Sequence, residues 1–350
     1  MKILMTGGTG FLGRYILEDL ISHCEILYLL VRKKSFEKAK GLFSHHKNVI
    51  LISGDLENMD LIEGGEEYHT LKNEIDTILH VAAYYDIEGK MSECYVHNVV
   101  GTQNLLYFAN QCSKLEHFHY ISTIAVSGSY HGRFYEESLD YSQGFTNPYS
   151  QTKYFAEFQV KNWTFTSTVK KRIYRLGILV GDSLKGETLK IDGPYYFTEF
   201  LLKNIDKKDF INLLPFLPIP YDKKTLFPLI PVDHAKDYIL QGILKNPSTF
   251  AMRTYHVIGM TCPTIENFLL DCFETLGIKS KPFPLPNTQL SPFLVQLLGM
   301  PQEVLHYMYS DCIYDQRCFK EDLASKRECH YEDYKDILFT PLKERGGEDS

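Results

Sequence analysis

The sequence predicts an α/β fold built on a doubly wound parallel sheet, and three observations carry that reading. The chain opens on a strand, a glycine turn and a helix within Met1–Leu20. The next strand, Glu25–Val31 (EILYLLV), is apolar throughout, as a parallel strand buried on both faces must be. Strand and helix patterns then alternate in units of about thirty residues, the rhythm of successive βα units.

The first unit sets the chemistry. Ile3, Leu4 and Met5 form the strand; Gly7, Gly10 and Gly13 follow at three-residue intervals; Phe11, Leu12, Tyr15, Ile16 and Leu20 recur at helical spacing. A helix N-terminus presents unpaired N–H groups and partial positive charge, and glycines let a pyrophosphate approach that backbone. This is the dinucleotide-binding pattern, with Gly7, Thr9, Gly10, Phe11, Leu12 and Gly13 as candidate cofactor contacts. A P-loop is excluded because Arg14 and Tyr15, not Lys and Ser/Thr, follow Gly13.

The second strand ends in Arg32, Lys33 and Lys34. An NAD site usually places an acidic residue there for the ribose 2′-OH, whereas a cation accommodates a 2′-phosphate. Arg32, helped by Arg14, therefore predicts NADP(H) over NAD(H); the alternative is a set of solvated surface cations. Ser35 is expected to cap a helix running to about Phe43. The third strand, Asn48–Ser53, leads to Gly54, Asp55 and Leu56, where Asp55 can accept from an adenine amino group or cap the next helix. The fourth, Ile75–Val81, leads to Ala82 and Ala83, small enough to pass close to a cofactor. A helix over Met91–Gln111 contains Asn98, and the fifth strand, Phe118–Ser122, delivers Thr123 to its carboxyl end, where open α/β sheets bind ligands.

Tyr149 and Lys153 follow Pro148 in a helix continuing through Tyr154–Trp163. Four residues apart, they share one helix face. A neighbouring ammonium favours phenolate and draws a tyrosine toward useful acid–base chemistry near neutral pH. Reduction of a carbonyl by hydride needs such a proton partner. Later, Asp233 is expected to cap a helix over Ala235–Leu244, and Thr264 one over Ile265–Leu276.

Bulk composition suits an ordinary globular chain: 350 residues, 44% hydrophobic, 23% charged, net charge −7. The negative balance argues against general nucleic-acid binding. Eight cysteines are scattered without CxxC or zinc-ligand spacing, so no metal is expected. With no signal peptide ahead of the first strand, free thiols and a cytoplasmic location are expected. No stretch matches a transmembrane helix; the nearest, Leu213–Val232, is broken by five prolines and reads as an apolar loop that packs on the core, lines a pocket or touches a membrane surface.

Taken together, TGGTGFLG at 6–13, GDL at 54–56, HVAA at 80–83, NVVGT at 98–102, STIAV at 122–126 and YSQTK at 149–153 resemble the extended short-chain dehydrogenases/reductases. LVRKK at 30–34, RLGILVGDSLKGE at 175–187, KIDGPYYF at 190–197 and PVDHAKDYI at 231–239 make the chain most similar to the thioester-reductase-like and fatty acyl-CoA reductase (male-sterility-type) branch. The resemblance covers about the first 240 residues well. It implies a Rossmann-type domain over residues 1–180, with 231–260 returning to it, a mainly substrate-binding lobe over 181–345, and a tail at 346–350. It implies NADPH-dependent reduction of an acyl thioester, on CoA or on a carrier protein acting in trans, to aldehyde or alcohol. Thr123 would polarise the carbonyl, Tyr149 would donate the proton, Lys153 would bond the nicotinamide ribose and tune Tyr149, and Asn98 falls in a structural or relay position. Tyr149 and Lys153 would thus also contact cofactor. Leu176 departs from the proline usual after the arginine. The resemblance further implies a monomer or homodimer. Rival readings are an NAD-dependent sugar-nucleotide epimerase or dehydratase, a hydroxysteroid-type dehydrogenase, and a non-catalytic dinucleotide sensor. The aromatic second half disfavours a sugar nucleotide, and the retained Tyr149–Lys153 pair disfavours a sensor.

Overall fold

A computed structural model describes residues 1–62, 65–165, 168–186, 194–204, 211–324 and 328–339. Its centre is a sheet of seven parallel strands: β1 (Lys2–Thr6), β2 (Ile26–Val31), β3 (Val49–Ser53), β4 (Thr77–His80), β5 (His117–Thr123), β6 (Lys170–Leu176) and β7 (Met252–Val257). Their order across the sheet is β7-β6-β5-β4-β1-β2-β3. The chain winds outward one way from β1 to β3, then crosses back to β4 and winds the other way. The crevice where the order reverses lies between β1 and β4, registered with Ile3 opposite Thr77 and Thr6 opposite His80.

The continuous apolar runs explain the inner strands. Ile3, Leu4, Met5, Leu27, Leu29, Ile78 and Leu79 are all fully buried, because helices cover both faces of the sheet. On one face the helix Phe11–Leu20 buries Leu12, Ile16, Leu17 and Leu20 and packs beside the helix Val232–Leu244, whose Tyr238 and Ile239 point inward. On the other, Leu105, Phe108 and Val160 pack against Ile78, Phe118 and Ile173.

Strand β6 escapes pattern reading because four of its seven residues, Lys170, Lys171, Arg172 and Arg175, are cationic. Arg172 and Arg175 are nevertheless fully buried. The two Nη groups of Arg172 donate to the carbonyls of Lys171, Ser248 and Phe250 and to Asn246 Oδ1. Strand β7 pairs with β6 from Met252 opposite Lys171 to Val257 opposite Leu176, so part of the 231–260 segment lies in the same sheet.

Three local expectations need correction. The helix expected over Met91–Gln111 is interrupted: Met91–Cys94 and Gly101–Asn110 are α-helical, but Tyr95–Val100 forms a π-helical turn. Asp233 is not the cap of its helix, which begins at Val232 after Pro231; its carboxylate instead accepts from the Ser183 backbone N–H (2.9 Å) and hydroxyl (2.6 Å). The Leu213–Val232 stretch is not wholly a loop. Phe216–Pro220 pairs with Lys281–Leu285 and Leu229–Pro231 with Ile178–Val180. Thr264 does cap its helix, accepting from the Asn267 N–H at 3.2 Å. The segment KIDG within 190–193 and the 346–350 tail lie outside the described residues.

Among the described residues, no helix is long and apolar enough to cross a membrane, and no cluster of His, Cys, Asp and Glu could hold a metal ion. None of the eight cysteines, all among the described residues, forms a disulfide.

Candidate active site

A cavity of about 580 Å³ occupies the crevice at the carboxyl ends of β1, β4 and β5. At one end is the glycine turn. Gly7 holds φ at +77°, and a Cβ there would come within 2.5 Å of the Ala82 backbone nitrogen. A Cβ on Gly13 would run into the Gly7 carbonyl, so helix and turn meet only without side chains. The Gly10 N–H donates to the Gly7 carbonyl at 3.1 Å. The helix Phe11–Leu20 has no side-chain cap and no acidic residue in its first turn. Its open N–H groups and positive end therefore suit an anion, and the close-packed, glycine-only cradle suits a dinucleotide pyrophosphate.

Most of the expected cofactor contacts converge on this cavity. Gly7, Thr9, Gly10, Phe11, Leu12, Gly13, Arg32, Asp55, Leu56, Ala82 and Ala83 line it, together with Thr123, Tyr149 and Lys153. Arg14 and Asn98 are not part of its lining. Arg14 is partly buried on the first helix turn. Asn98 is buried within the π-helical turn and pins the chain leaving β4: its Oδ1 accepts from the Tyr84 N–H (2.8 Å), while its Nδ2 donates to the Tyr84 carbonyl (3.0 Å) and the Thr152 hydroxyl (3.1 Å). A π-turn sets this residue inward, where a regular helix would rotate it away.

At the end of β2, Arg32 is exposed and borders the cavity; Lys33 and Lys34 are exposed but do not. Ser35, expected as a helix cap, makes no side-chain capping bond and borders the cavity beside Arg32. Asp55 also lines the cavity and accepts from the Glu57 N–H at 3.1 Å; that bond closes a turn and not a helix cap, since the next helix begins at Gly65.

The reacting end is assembled from β5 and the helix Pro148–Asn162. Asn147 caps that helix through the Ser150 N–H (2.8 Å), and Pro148 occupies its first turn. Tyr149 is partly exposed to the cavity and packs edge-on against Tyr85, ring centroids 4.7 Å apart. One turn on, the Lys153 ammonium donates to the Tyr120 hydroxyl and the Ile121 carbonyl, both at 2.8 Å. Burial pulls its pKa down from 10.5 to about 7, against the opposing pull of the Glu157 carboxylate. Thr123 accepts from the Ala125 N–H at 3.2 Å, which leaves the hydroxyl proton free to be donated into the cavity.

The far wall is apolar: Leu179, Phe197, Phe227, Phe268, Met300 and Met308 face the same space. Tyr307 also lines it, its hydroxyl accepting from Asn147 Nδ2 at 2.9 Å. Tyr84, Tyr85 and His97 line it from the β4 exit loop and π-turn. Phe197 and Phe227 belong to the aromatic second half read from the sequence, whereas sequence reading misses Tyr84, Tyr85, His97 and Tyr307. Ser35 is within reach of the Arg32 argument, but Tyr307 reaches the site only through a long-range fold contact that no local pattern announces.

Comparison with known proteins agrees with this geometry. The model of the family described as male sterility protein matches residues 5–239. Fatty acyl-CoA reductase 2 of Mus musculus is 36% identical over 142 residues, covering 35% of this chain and 28% of that protein. The nonribosomal peptide synthetase asaC of Aspergillus flavus is 28% identical over 289 residues, 74% of this chain and 26% of that protein. The alignments therefore span less than a third of these relatives' lengths. The crystal structure of the terminal R domain from the myxalamid PKS-NRPS biosynthetic pathway superposes with a TM-score of 0.75 at 21% identity, covering 99% of this chain and 91% of that one.

Proposed function

The chain belongs to the male sterility protein family of NAD-binding domains, among the extended short-chain dehydrogenases/reductases, and from that premise we propose that it is an NADPH-dependent reductase of a fatty acyl thioester. One observation carries the reading. A single cavity runs from a dinucleotide cradle, past Thr123, Tyr149 and Lys153, to a wall of Leu179, Phe197, Phe227, Phe268, Met300 and Met308. A sugar nucleotide would leave that wall's apolar surface unmatched, whereas an acyl chain buries it.

Gly7, Gly10, Gly13, Arg32 and Ser35 all line the cavity; the glycines would hold the pyrophosphate, and Arg32 with Ser35 would take the 2′-phosphate that distinguishes NADPH from NADH. When bound there, the nicotinamide would supply the hydride that the thioester carbonyl carbon accepts. Thr123 donates a hydrogen bond to the carbonyl oxygen and stabilises the charge that builds there. Tyr149 delivers the proton to that oxygen, and Lys153, held as an ammonium, favours the resulting phenolate. Collapse of the hemithioacetal then breaks the C–S bond, releasing thiol and aldehyde. Asn98 is a structural strut, since its side chain is bonded to Tyr84 and Thr152.

The test is NADPH consumption by the purified protein with palmitoyl-CoA, octanoyl-CoA and a free aldehyde side by side, with NADH as control. Consumption with a thioester is the expected result, and the preferred chain length then measures the pocket. Consumption with free aldehyde alone would overturn thioester reduction and leave a carbonyl reductase.

A further inference from the structure

A buried carboxylate stands directly behind the reacting groups. Glu157 lies four residues beyond Lys153 and eight beyond Tyr149, so the three follow one face of the helix Pro148–Asn162. Its side chain and that of Arg175 are both fully buried, with the closest N–O distance 2.7 Å and a second contact from Arg175 Nε at 2.9 Å. The other carboxylate oxygen accepts from the Ser122 hydroxyl at 2.6 Å. Ser122 precedes Thr123 at the end of β5. One carboxylate therefore ties the strand that presents Thr123 to the helix that presents Tyr149 and Lys153.

Arg175 extends the brace. Its Nη groups donate to the carbonyls of Tyr135 (3.3 Å) and Ser138 (2.5 Å) and to His256 Nε2 (3.0 Å). With Nε2 accepting, His256 carries its proton on Nδ1 and donates it to the Asp315 carbonyl at 2.6 Å. Asp315 follows Tyr314, which lines the cavity and bonds the Ser127 hydroxyl at 2.9 Å. Three walls of the cavity thus meet on one ion pair.

We propose that Glu157, braced by Arg175, is a positioning residue for the reaction: it fixes Thr123 against the Tyr149–Lys153 face and supplies the counter-charge that keeps Lys153 an ammonium. This rests on the acyl-reductase reading for its reaction, though not for its geometry. The groups facing Lys153 support it. Tyr120 and His80, from the sheet, are held neutral by burial. Glu157 is the nearby anion, kept ionised by Arg175 although burial opposes its charge. Lys161, two turns beyond Lys153 on the same helix, adds no negative charge. A wholly structural ion pair would need none of this alignment with Lys153.

The experiment compares wild type with Glu157→Gln, the charge-neutral double variant Glu157→Gln/Arg175→Met, and Ser122→Ala. Asp322→Asn serves as control, because it breaks the Arg253–Asp322 ion pair (3.0 Å) away from the cavity. NADPH binding is followed by fluorescence across pH without substrate, and turnover with palmitoyl-CoA is followed separately. The expected result is that loss of Glu157 moves the alkaline limb of NADPH binding down by about one pH unit and lowers kcat roughly tenfold. Ser122→Ala is expected to lower kcat with the limb in place, and Asp322→Asn to lower only the melting temperature. If Glu157→Gln is insoluble, the double variant carries the same test. A limb unmoved by removal of Glu157, or moved equally by Asp322→Asn, overturns the proposal. A wild type that reduces no thioester overturns the acyl-reductase reading, while the binding limb still decides the role of Glu157.

Discussion

The Lys153 ammonium lies 2.8 Å from the Tyr120 phenolic oxygen and 4.4 Å from the centroid of its ring. Both groups are buried, and the Ile121 carbonyl is the ammonium's other strand partner at 2.8 Å. The lysine is thus aimed by two consecutive residues of β5. Tyr120→Phe keeps the ring but removes one acceptor from a buried charge. The expected loss is about 1–3 kcal/mol of unfolding free energy, read from denaturant melts, with weaker NADPH binding because the ammonium loses its aim. An unchanged melt and unchanged binding would show that Ile121 alone suffices.

Tyr149→Phe separates chemistry from binding. Tyr149 lines the cavity against Tyr85, and the ring-to-ring contact survives loss of the hydroxyl. Turnover is expected to fall by about 10²–10⁴-fold, the usual worth of a positioned proton donor. Titration of the variant with NADPH should show nearly unchanged affinity. Turnover at the wild-type rate would mean that another group, such as Tyr85 packed against Tyr149 in the cavity wall, delivers the proton.

Arg32 and Ser35 form the test of cofactor choice. They are the cation and the hydroxyl that border the cavity after β2, whereas Lys33 and Lys34 are not part of its lining. If the two hold a 2′-phosphate as proposed, Arg32→Ala/Ser35→Ala removes one charge-assisted and one neutral contact, worth about 2–4 kcal/mol together. NADPH affinity should drop by about thirtyfold to a thousandfold, in accord with about 1.4 kcal/mol per tenfold, while NADH affinity stays near its starting value. Lys33→Ala and Lys34→Ala should change little. Parallel losses for both cofactors would return Arg32 to the solvated surface.

The division between what can be read from the sequence and what cannot follows from physics. The glycine turn, the early strands and the Tyr149–Lys153 spacing are local: steric demand and helical or strand period write them directly into consecutive residues. Strand β6 is not readable because its buried arginines are satisfied by partners far along the chain, such as Ser248 for Arg172 and Glu157 for Arg175. Ser35 reads as a cap because its residue type favours one; its position beside the cavity is set by the twist that brings the β2 end to the crevice. The π-turn at Asn98 likewise has no marker in a helical pattern of apolar residues. Within it the Asn98 side chain bonds Tyr84 and Thr152, partners that lie 14 and 54 residues away in sequence.

The last prediction concerns His80, the final residue of β4. Its Nδ1 lies 2.8 Å from the Thr6 hydroxyl and its Nε2 3.1 Å from that of Thr102, so it ties the β1 and β4 ends that frame the glycine turn. Burial, reinforced by the Lys153 charge, pulls its pKa down from 6.5 to about 3. The unfolded chain therefore binds a proton at this residue below pH 6.5 that the folded chain refuses until about pH 3. Stability must fall as pH drops through that window, by about 1.4 kcal/mol per pH unit for one such group. His119 and His256, also buried and held neutral, add to the same slope. His80→Gln retains a donor and an acceptor but cannot be protonated. Denaturant melts at successive pH values between 6.5 and about 4.5 should show the wild-type slope reduced by about one proton's share in the variant. An identical slope would place the acid sensitivity on the other buried histidines and leave His80 as a spacer alone.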